Sequence, residues 1–501
     1  MGMVCASSVC SMCPACPCCE FSVNTVVHQH IKDIMKNWME RLTQVAPNCR
    51  IRDLKMMTSH DCGTYSIPVT KIGSSISRTQ AVDVYEQLDL GVRQIDFRYG
   101  PTGDRAMDIA VRHGPHSGGN YFKELIKVKY WLEDNPFEFL IIDAKCEKRV
   151  SSTQRSYLMK YFSDKFGKYL ITKKDCSNWF NVKAVTLDDI RKRHPKRVLL
   201  LVDDMILQGG PEKEENLEQQ GFLNKKDFLM SKWHNTGSVQ KLFGKILEEI
   251  EEIPQVENQF VNLQLILSPK IHLKAITKYC LCLDRTRIDQ KQRQLFEHRK
   301  VQYFVRDMAS KAVNFVMMDF VNYDPHITNF LVGLNFPFKL SILKGYVVCP
   351  KGIVVDVTEK LKTLVSNNNS LWIVWFGRDL GIHFAKADLH IIYEYEAGRS
   401  AHKEVTLHRD DQYLLNVISH LDVTLEPKDT SDHMMEEFNH RRVTILREPE
   451  DDLAISCAHS PPRRSASTSD PEKLRSDTSL SMCLPLVEKF EFKETSFEEG
   501  S

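Results

Sequence analysis

A series of about seven compact apolar runs lies between Ile51 and Phe336, each closing on polar or ionisable residues, and it constrains the fold more than any other feature. In order they are the run ending MMTS, then VRQIDFRYG, MDIAVRH, FEFLIIDAK, RVLLLVDD, NLQLILS and AVNFVMMDF. The last four are apolar without alternation, the pattern of strands buried on both faces of a parallel sheet. Long amphipathic stretches such as Phe122 to Leu132 separate these runs and leave room for the helical crossovers that parallel strands need. Seven such strands are a barrel count rather than a sandwich count, and a parallel barrel places its working residues at the carboxyl ends of its strands.

Those ends carry chemistry. The first run closes on His60 and Asp61, followed by the turn-permissive Gly63. Neighbouring side chains on a regular strand point to opposite faces, so both can serve one site only if the strand ends there and the chain turns. In VRQIDFRYG, Ile95 and Phe97 face one way while Asp96 and Arg98 face the other. A second histidine, His113, closes MDIAVRH, and two imidazoles titrating near neutrality can divide the work of base and acid. Later runs end in Asp143 with Lys145, in Asp203 with Asp204, and in Asp319.

Around this barrel the chain divides into further parts. Lysine plus arginine number 67 against 66 acidic residues, so the net charge of +1 provides no global field for nucleic acid. No run approaches the ~18 apolar residues of a spanning helix, and the N-terminus lacks a secretory pattern, so a cytosolic chain with reduced cysteines is expected. Six of the fifteen cysteines, Cys5, Cys10, Cys13, Cys16, Cys18 and Cys19, crowd a flexible arm over residues 1–23. Thioester acylation suits that crowding, and stable anchoring needs two or more acyl chains. A metal knuckle at Cys10, Cys13 and Cys16 is the alternative, although no second ligand cluster follows. Helices are expected over Asn24–Leu42 and Thr79–Leu90. The barrel is expected over residues 24–340. GYVVCPKGIVVDV, SLWIVWFG, LHIIYEYEA and KEVTLH then predict a smaller β-rich domain over residues 341–446. Residues 447–501 are too polar to bury a core and are expected to be disordered.

HDCGTY, LGVRQIDFR and HGP, in that order and spacing, resemble the catalytic X region of phosphatidylinositol-specific phospholipases C. The likeness is greatest to the bacterial enzymes and to animal proteins with an X domain alone, and it covers about Arg52 to Phe336. The resemblance implies an irregular TIM-type (β/α) barrel that cleaves the glycerol-side phosphodiester of an inositol phospholipid at a cytosolic membrane surface. The products would be diacylglycerol and a cyclic or open inositol phosphate. By it His60 would be the base for the inositol 2-hydroxyl, supported by Asp319. His113 with Asp61 would protonate the leaving oxygen, and Arg98 would face the phosphate. Arg98 stands where calcium-dependent relatives build a metal site, so the resemblance implies no calcium, no other metal and no cofactor. Lys145 aligns with a basic site residue, and Asn235 could take the place of an acid that contacts the headgroup. Two departures are Cys62 for the usual serine and Asp203 where bacterial relatives carry an arginine. A headgroup-binding scaffold without turnover, and a phosphodiesterase for another glycerophospholipid motivated by Asp203, are the competing readings.

Overall fold

The computed structural model describes residues 29–68, 77–203, 216–253, 258–268, 300–308, 311–366, 369–396 and 399–416. The six N-terminal cysteines and the expected tail lie outside the described residues. Among the described residues eight strands run parallel: β1 (Met56–Ser59), β2 (Val92–Pro101), β5 (Leu140–Cys146), β6 (Val198–Val202), β7 (Phe222–Asn224), β8 (Leu229–Met230), β9 (Phe260–Leu265) and β10 (Phe315–Met318). Their lateral order is β7-β6-β5-β2-β1-β10-β9-β8. The first and last parallel strands are therefore neighbours, in register from Met56↔Phe315 to Ser59↔Met318, as a sheet curling into a barrel requires. Among the described residues no ladder joins β7 to β8, which are linked by the short helix Lys225–Phe228, so the barrel is irregular and open at that seam.

The period of two sorts the side chains. Ile95, Phe97, Ile142, Ala144, Leu200 and Val202 share one core with Leu125, Val128, Leu158 and Phe162 of the surrounding helices. The opposite face is apolar at the bottom, where Met56, Ile141, Leu199 and Phe315 pack with Trp38, Met39 and Leu42 of the N-terminal helices. Two and four residues further along the same faces it becomes ionisable, with Asp96 paired to Asp143 and Arg98 to Lys145 in the β2–β5 register.

Four sequence expectations change. MDIAVRH is an antiparallel strand, β3 (Ile109–His113), that pairs with β2 and with β4 (His116–Asn120) as a hairpin at the barrel mouth. The eight are completed by β7 and β8, too short to leave a hydrophobic period. The N-terminal helix is broken at Asn37 (φ −129°, ψ 39°) into Gln29–Lys36 and Trp38–Val45. The helix expected from Thr79 begins only at Val84, capped by the Asp83 side chain.

Among the described residues the β-rich region forms two antiparallel sheets. One is ordered β12 (Ile353–Asp356), β11 (Ser341–Cys349), β15 (Lys386–Glu396), β16 (Arg399–His408); the other β13 (Val365–Ser366), β14 (Ser370–Ile373), β17 (Tyr413–Asn416). They share a core of Val347, Leu361, Leu371, Leu389, Ile391 and Tyr393. Trp372 leaves that core and packs on Phe330 of the barrel with ring centroids 4.8 Å apart. The buried Asn369 amide donates to the carbonyls of Gly333 and Phe336 at 3.1 and 3.0 Å. No helix among the described residues is long and apolar enough to cross a membrane.

Candidate active site

Strand β1 ends at Ser59, and Asp61 adopts a left-handed conformation (φ 46°, ψ 51°). This turn lets His60 and Asp61 face one site, although they are adjacent in sequence. Gly63 is required for space rather than for φ: a Cβ there would meet Val111 Cγ2 at 2.7 Å and Phe97 Cε2 at 2.8 Å.

The His60 ring lies between two groups of opposite demand. Its Nδ1 is 2.6 Å from Asp319 Oδ1, and its Nε2 is 2.9 Å from Arg98 Nη2. A guanidinium can only donate, so this geometry sets the neutral tautomer: Nδ1–H donates to Asp319 and Nε2 presents a lone pair. The Asp61 carboxylate is 3.2 Å from the same Nε2, close enough to stabilise the ring by charge once it is protonated. Burial alone would lower the His60 pKa. The Asp61 and Asp319 carboxylates outweigh it, and the net direction is upward from the ordinary histidine value.

Arg98 is the hub. Its Nε is 2.5 Å from Asp61 Oδ1, its Nη2 2.7 Å from Asp96 Oδ2, and its Nη1 2.9 Å from Glu147 Oε1. Burial works against ionised Asp96, yet Arg98 and then His60 hold its carboxyl well below the usual range. His60, Asp61 and Asp96 offer ligand atoms within 4.8 Å of one another, a set that could hold a metal ion. The Arg98 guanidinium lies against both of those carboxylates, so a cation is already built into the chain there.

His113 Nδ1 donates to the Ser77 carbonyl at 2.8 Å, which turns its Nε2 toward Asp61 Oδ2 at 3.5 Å. The two histidine rings stand edge-on, 6.1 Å between centroids at 78°. Both Asp61 oxygens are buried and none of their close contacts is aligned as a hydrogen bond, so the carboxylate is held by charge at the centre of the cluster.

The other expected residues divide. Lys145 sits at the mouth, 43% exposed and 3.7 Å from Glu147. Asp203 accepts the Cys146 backbone N–H at 3.1 Å, tying two strand ends together. Asn235 is exposed in a left-handed conformation (φ 41°) beyond β8, and none of the polar contacts above involves it. Sequence reasoning missed Lys225, which pairs with Asp143 and which the Asp143 and Asp96 charges hold above its ordinary pKa despite burial. It also missed Thr79 and Gln80. The Gln80 amide donates to the carbonyls of His60 and Met318 at 3.0 and 3.2 Å, and its oxygen accepts the Val321 N–H at 3.2 Å. Thr79 Oγ1 donates to the His60 carbonyl at 3.1 Å, and its own carbonyl takes the Phe320 N–H at 2.8 Å. These side chains fasten the end of β1 to the end of β10, and so His60 to Asp319. A polar pair at the start of an expected helix was the available signal.

A curled parallel barrel with two histidine–carboxylate pairs and a guanidinium at its carboxyl end has the parts for acid–base chemistry on an anion. Comparison with known proteins narrows that class. The chain is 25% identical over 171 residues to human PI-PLC X domain-containing protein 1, covering 29% of this chain and 53% of that protein. It is 27% identical over 180 residues to 1-phosphatidylinositol phosphodiesterase of Listeria monocytogenes, covering 33% of this chain and 51% of that one. It thus spans about half the length of these curated relatives. Among solved structures it is similar to phosphatidylinositol-specific phospholipase C from Listeria monocytogenes: 19% identity, 60% of this chain, 98% of that one, TM-score 0.45. A Staphylococcus aureus phosphatidylinositol-specific phospholipase C variant matches at 15% identity, 60% and 98% coverage and TM-score 0.44. No family model matches. The chain is thus similar to phosphatidylinositol-specific phospholipase C X-domain proteins, as its motifs imply.

Proposed function

We propose that this chain is a phospholipase C-type phosphodiesterase that cleaves inositol phospholipids to diacylglycerol and a cyclic inositol phosphate, without calcium. The observation that carries the reading is the pair of histidine–carboxylate couples, His60–Asp319 and His113–Asp61, with Arg98 against His60 and Asp61. His60 Nε2 removes the proton from the inositol 2-hydroxyl, and that oxygen forms a bond to phosphorus. The phosphorus–glycerol oxygen bond breaks, and His113 Nε2–H supplies the proton the departing oxygen needs. Asp319 and Asp61 stabilise the imidazolium forms, and Arg98 faces the non-bridging oxygens. Nucleophile and phosphorus belong to one bound molecule, so holding the headgroup removes much of the barrier. Lys145, exposed at the mouth, contacts the headgroup. Asp203 does so less directly, since one oxygen is taken by the Cys146 amide.

The domain plan belongs to the same proposal: an acylated arm over 1–23, the barrel over 24–340, a β-rich domain over 341–446 and a tail over 447–501. The arm holds the protein on the cytosolic membrane face. Serine at Cys5, Cys10, Cys13, Cys16, Cys18 and Cys19 should release it to the soluble fraction, and unchanged membrane association would refute the anchor. The activity test uses phosphatidylinositol vesicles in chelator with the wild type, His60→Ala and His113→Ala. Cyclic inositol phosphate from the wild type and none from either variant is expected. Turnover only after calcium is added back would overturn the role given to Arg98, and no turnover of any inositol lipid would favour a headgroup-binding scaffold.

A further inference from the structure

The β-rich region carries a second constellation, remote in sequence from the cluster above. On the outward face of the β12-β11-β15-β16 sheet, His390 of β15 lies opposite Glu404 of β16, with His402 one step along the same face. His390 Nδ1 is 3.4 Å from His402 Nε2 and 3.8 Å from Glu404 Oε2. The imidazole planes are nearly parallel, 12° apart, with centroids 5.5 Å apart. Two imidazoles bound to one tetrahedral zinc ion through bonds of 2.0–2.1 Å would place their nitrogens about 3.3 Å apart and their centroids about 5.3 Å apart. Both spacings of this pair match those of two ligands of a single ion, and without an ion the same geometry serves as an N–H···N hydrogen bond.

The pair is also held in place. Tyr346 stacks on His390 at 4.7 Å and 6°, covering one side of the ring, so that the histidine side chain is only 14% exposed. His390 and His402 sit on paired strands, whose backbone spacing is fixed by the ladder. The Glu404 side chain is 61% exposed, and its Oε2 already lies on the His390 Nδ1 side of the pair. Lys344, whose ammonium lies 5.8 Å over the Tyr346 ring, is the nearby positive charge a bound cation must tolerate.

We propose that His390, His402 and Glu404 form a site for a divalent transition-metal ion of the zinc class, which bridges the β15–β16 hairpin and leaves a fourth position to water. Two imidazoles and one carboxylate favour such an ion over calcium or magnesium, which prefer all-oxygen shells. The site does not depend on the proposed lipid chemistry.

The test is zinc titration by calorimetry on the full chain carrying serine at the six N-terminal cysteines, alone and with His402→Ala or His390→Ala added. One zinc equivalent that either histidine change removes, or weakens at least tenfold, is expected. Glu404→Gln should weaken it less. Cobalt should give the weak d–d bands of nitrogen and oxygen ligands, absent from His402→Ala, without thiolate charge transfer from the remaining cysteines. His402 is exposed, so His402→Ala should keep the wild-type melting midpoint in chelator and lose only the rise that zinc produces. Equal stoichiometry and affinity in the wild type and His402→Ala would overturn the site, as would a cobalt spectrum wholly of thiolate character.

Discussion

Asp319→Asn tests the proposed catalytic arrangement most sharply, because it removes one charge and little volume. Asp319 lies 2.6 Å from His60 Nδ1, is 1% exposed, and is one of two carboxylates that raise the His60 pKa. An opposite charge this close shifts a pKa by about 1–3 units, and each unit is worth about 1.4 kcal/mol. A base works only when unprotonated, so a raised pKa puts the acidic limb of kcat/KM above the ordinary histidine value of 6.5. Losing Asp319 should move that limb down toward the ordinary value. The rate at the plateau should still fall about 100-fold or more, because the imidazole becomes a weaker and less well oriented base. The assay is cyclic inositol phosphate release from vesicles between about pH 5 and pH 9, with wild type, Asp319→Asn and Asp61→Asn. Asp61→Asn should move the same limb down as well, since its charge is the largest single influence raising the pKa. An acidic limb that stays put in both variants, or climbs, would refute the assignment of His60 as the base.

Gln80→Ala removes the clip between β1 and β10. It should lower kcat several-fold with KM little changed, and lower stability by about 1–3 kcal/mol for the buried partners it strands, measured by steady-state kinetics and denaturant unfolding. Arg98→Lys keeps the charge but loses the fork that spans Asp61, Asp96 and Glu147. A fall in kcat of about 100-fold or more with an intact melting profile is expected. Burial pushes the Glu249 carboxyl up to about 7, so its contribution to stability is present below the ordinary 4.5 and is lost as pH rises through about 7. Glu249→Gln should therefore raise Tm relative to wild type above that pH and not below 4.5. Trp372→Ala cuts the contact between the β-rich region and the barrel. It should cost about 3–5 kcal/mol and split a single unfolding transition into two, as followed by calorimetry.

Much of the fold was legible because the long inner strands are apolar on both faces. FEFLIIDAK and RVLLLVDD read as buried parallel strands and are β5 and β6, paired from Leu140↔Val198 onward. The short strands were not legible: Phe222–Asn224 and Leu229–Met230 are placed by the ladder and the neighbouring core, not by a period of their own. MDIAVRH has the composition of a barrel strand, yet its direction is set by the short loop from Thr102 to Asp108 that returns it antiparallel onto β2, which no hydrophobic pattern reports. The start of the helix near Thr79 was misread for a related reason. Thr79 and Gln80 fit a helix by spacing, but their side chains satisfy backbone groups of strands that arrive from both ends of the barrel sequence.

The charged cluster was partly legible for a physical reason of its own. His60, Asp61, Asp96, Arg98, His113 and Asp319 could be named because each ends or interrupts an apolar run, where an ionisable side chain conflicts with its surroundings. Glu147 and Lys225 lie just past such runs, in segments where charge is ordinary, and only the fold shows them closing the ring around Arg98 and Asp143. The adjacency of His60 and Asp61 is the most instructive case. A left-handed residue at position 61 reverses the chain within one peptide, and Asp tolerates that conformation better than most non-glycine residues. Asp61 N–H then meets the Asp96 carboxylate at 3.3 Å, while its own carboxylate turns toward Arg98 and His113. The string His-Asp-Cys-Gly thus encodes a backbone shape as much as a set of reactive groups. His60 supplies the ring, Asp61 both the turn and a charge, and Gly63 the missing Cβ that lets the turn lie against Phe97 and Val111.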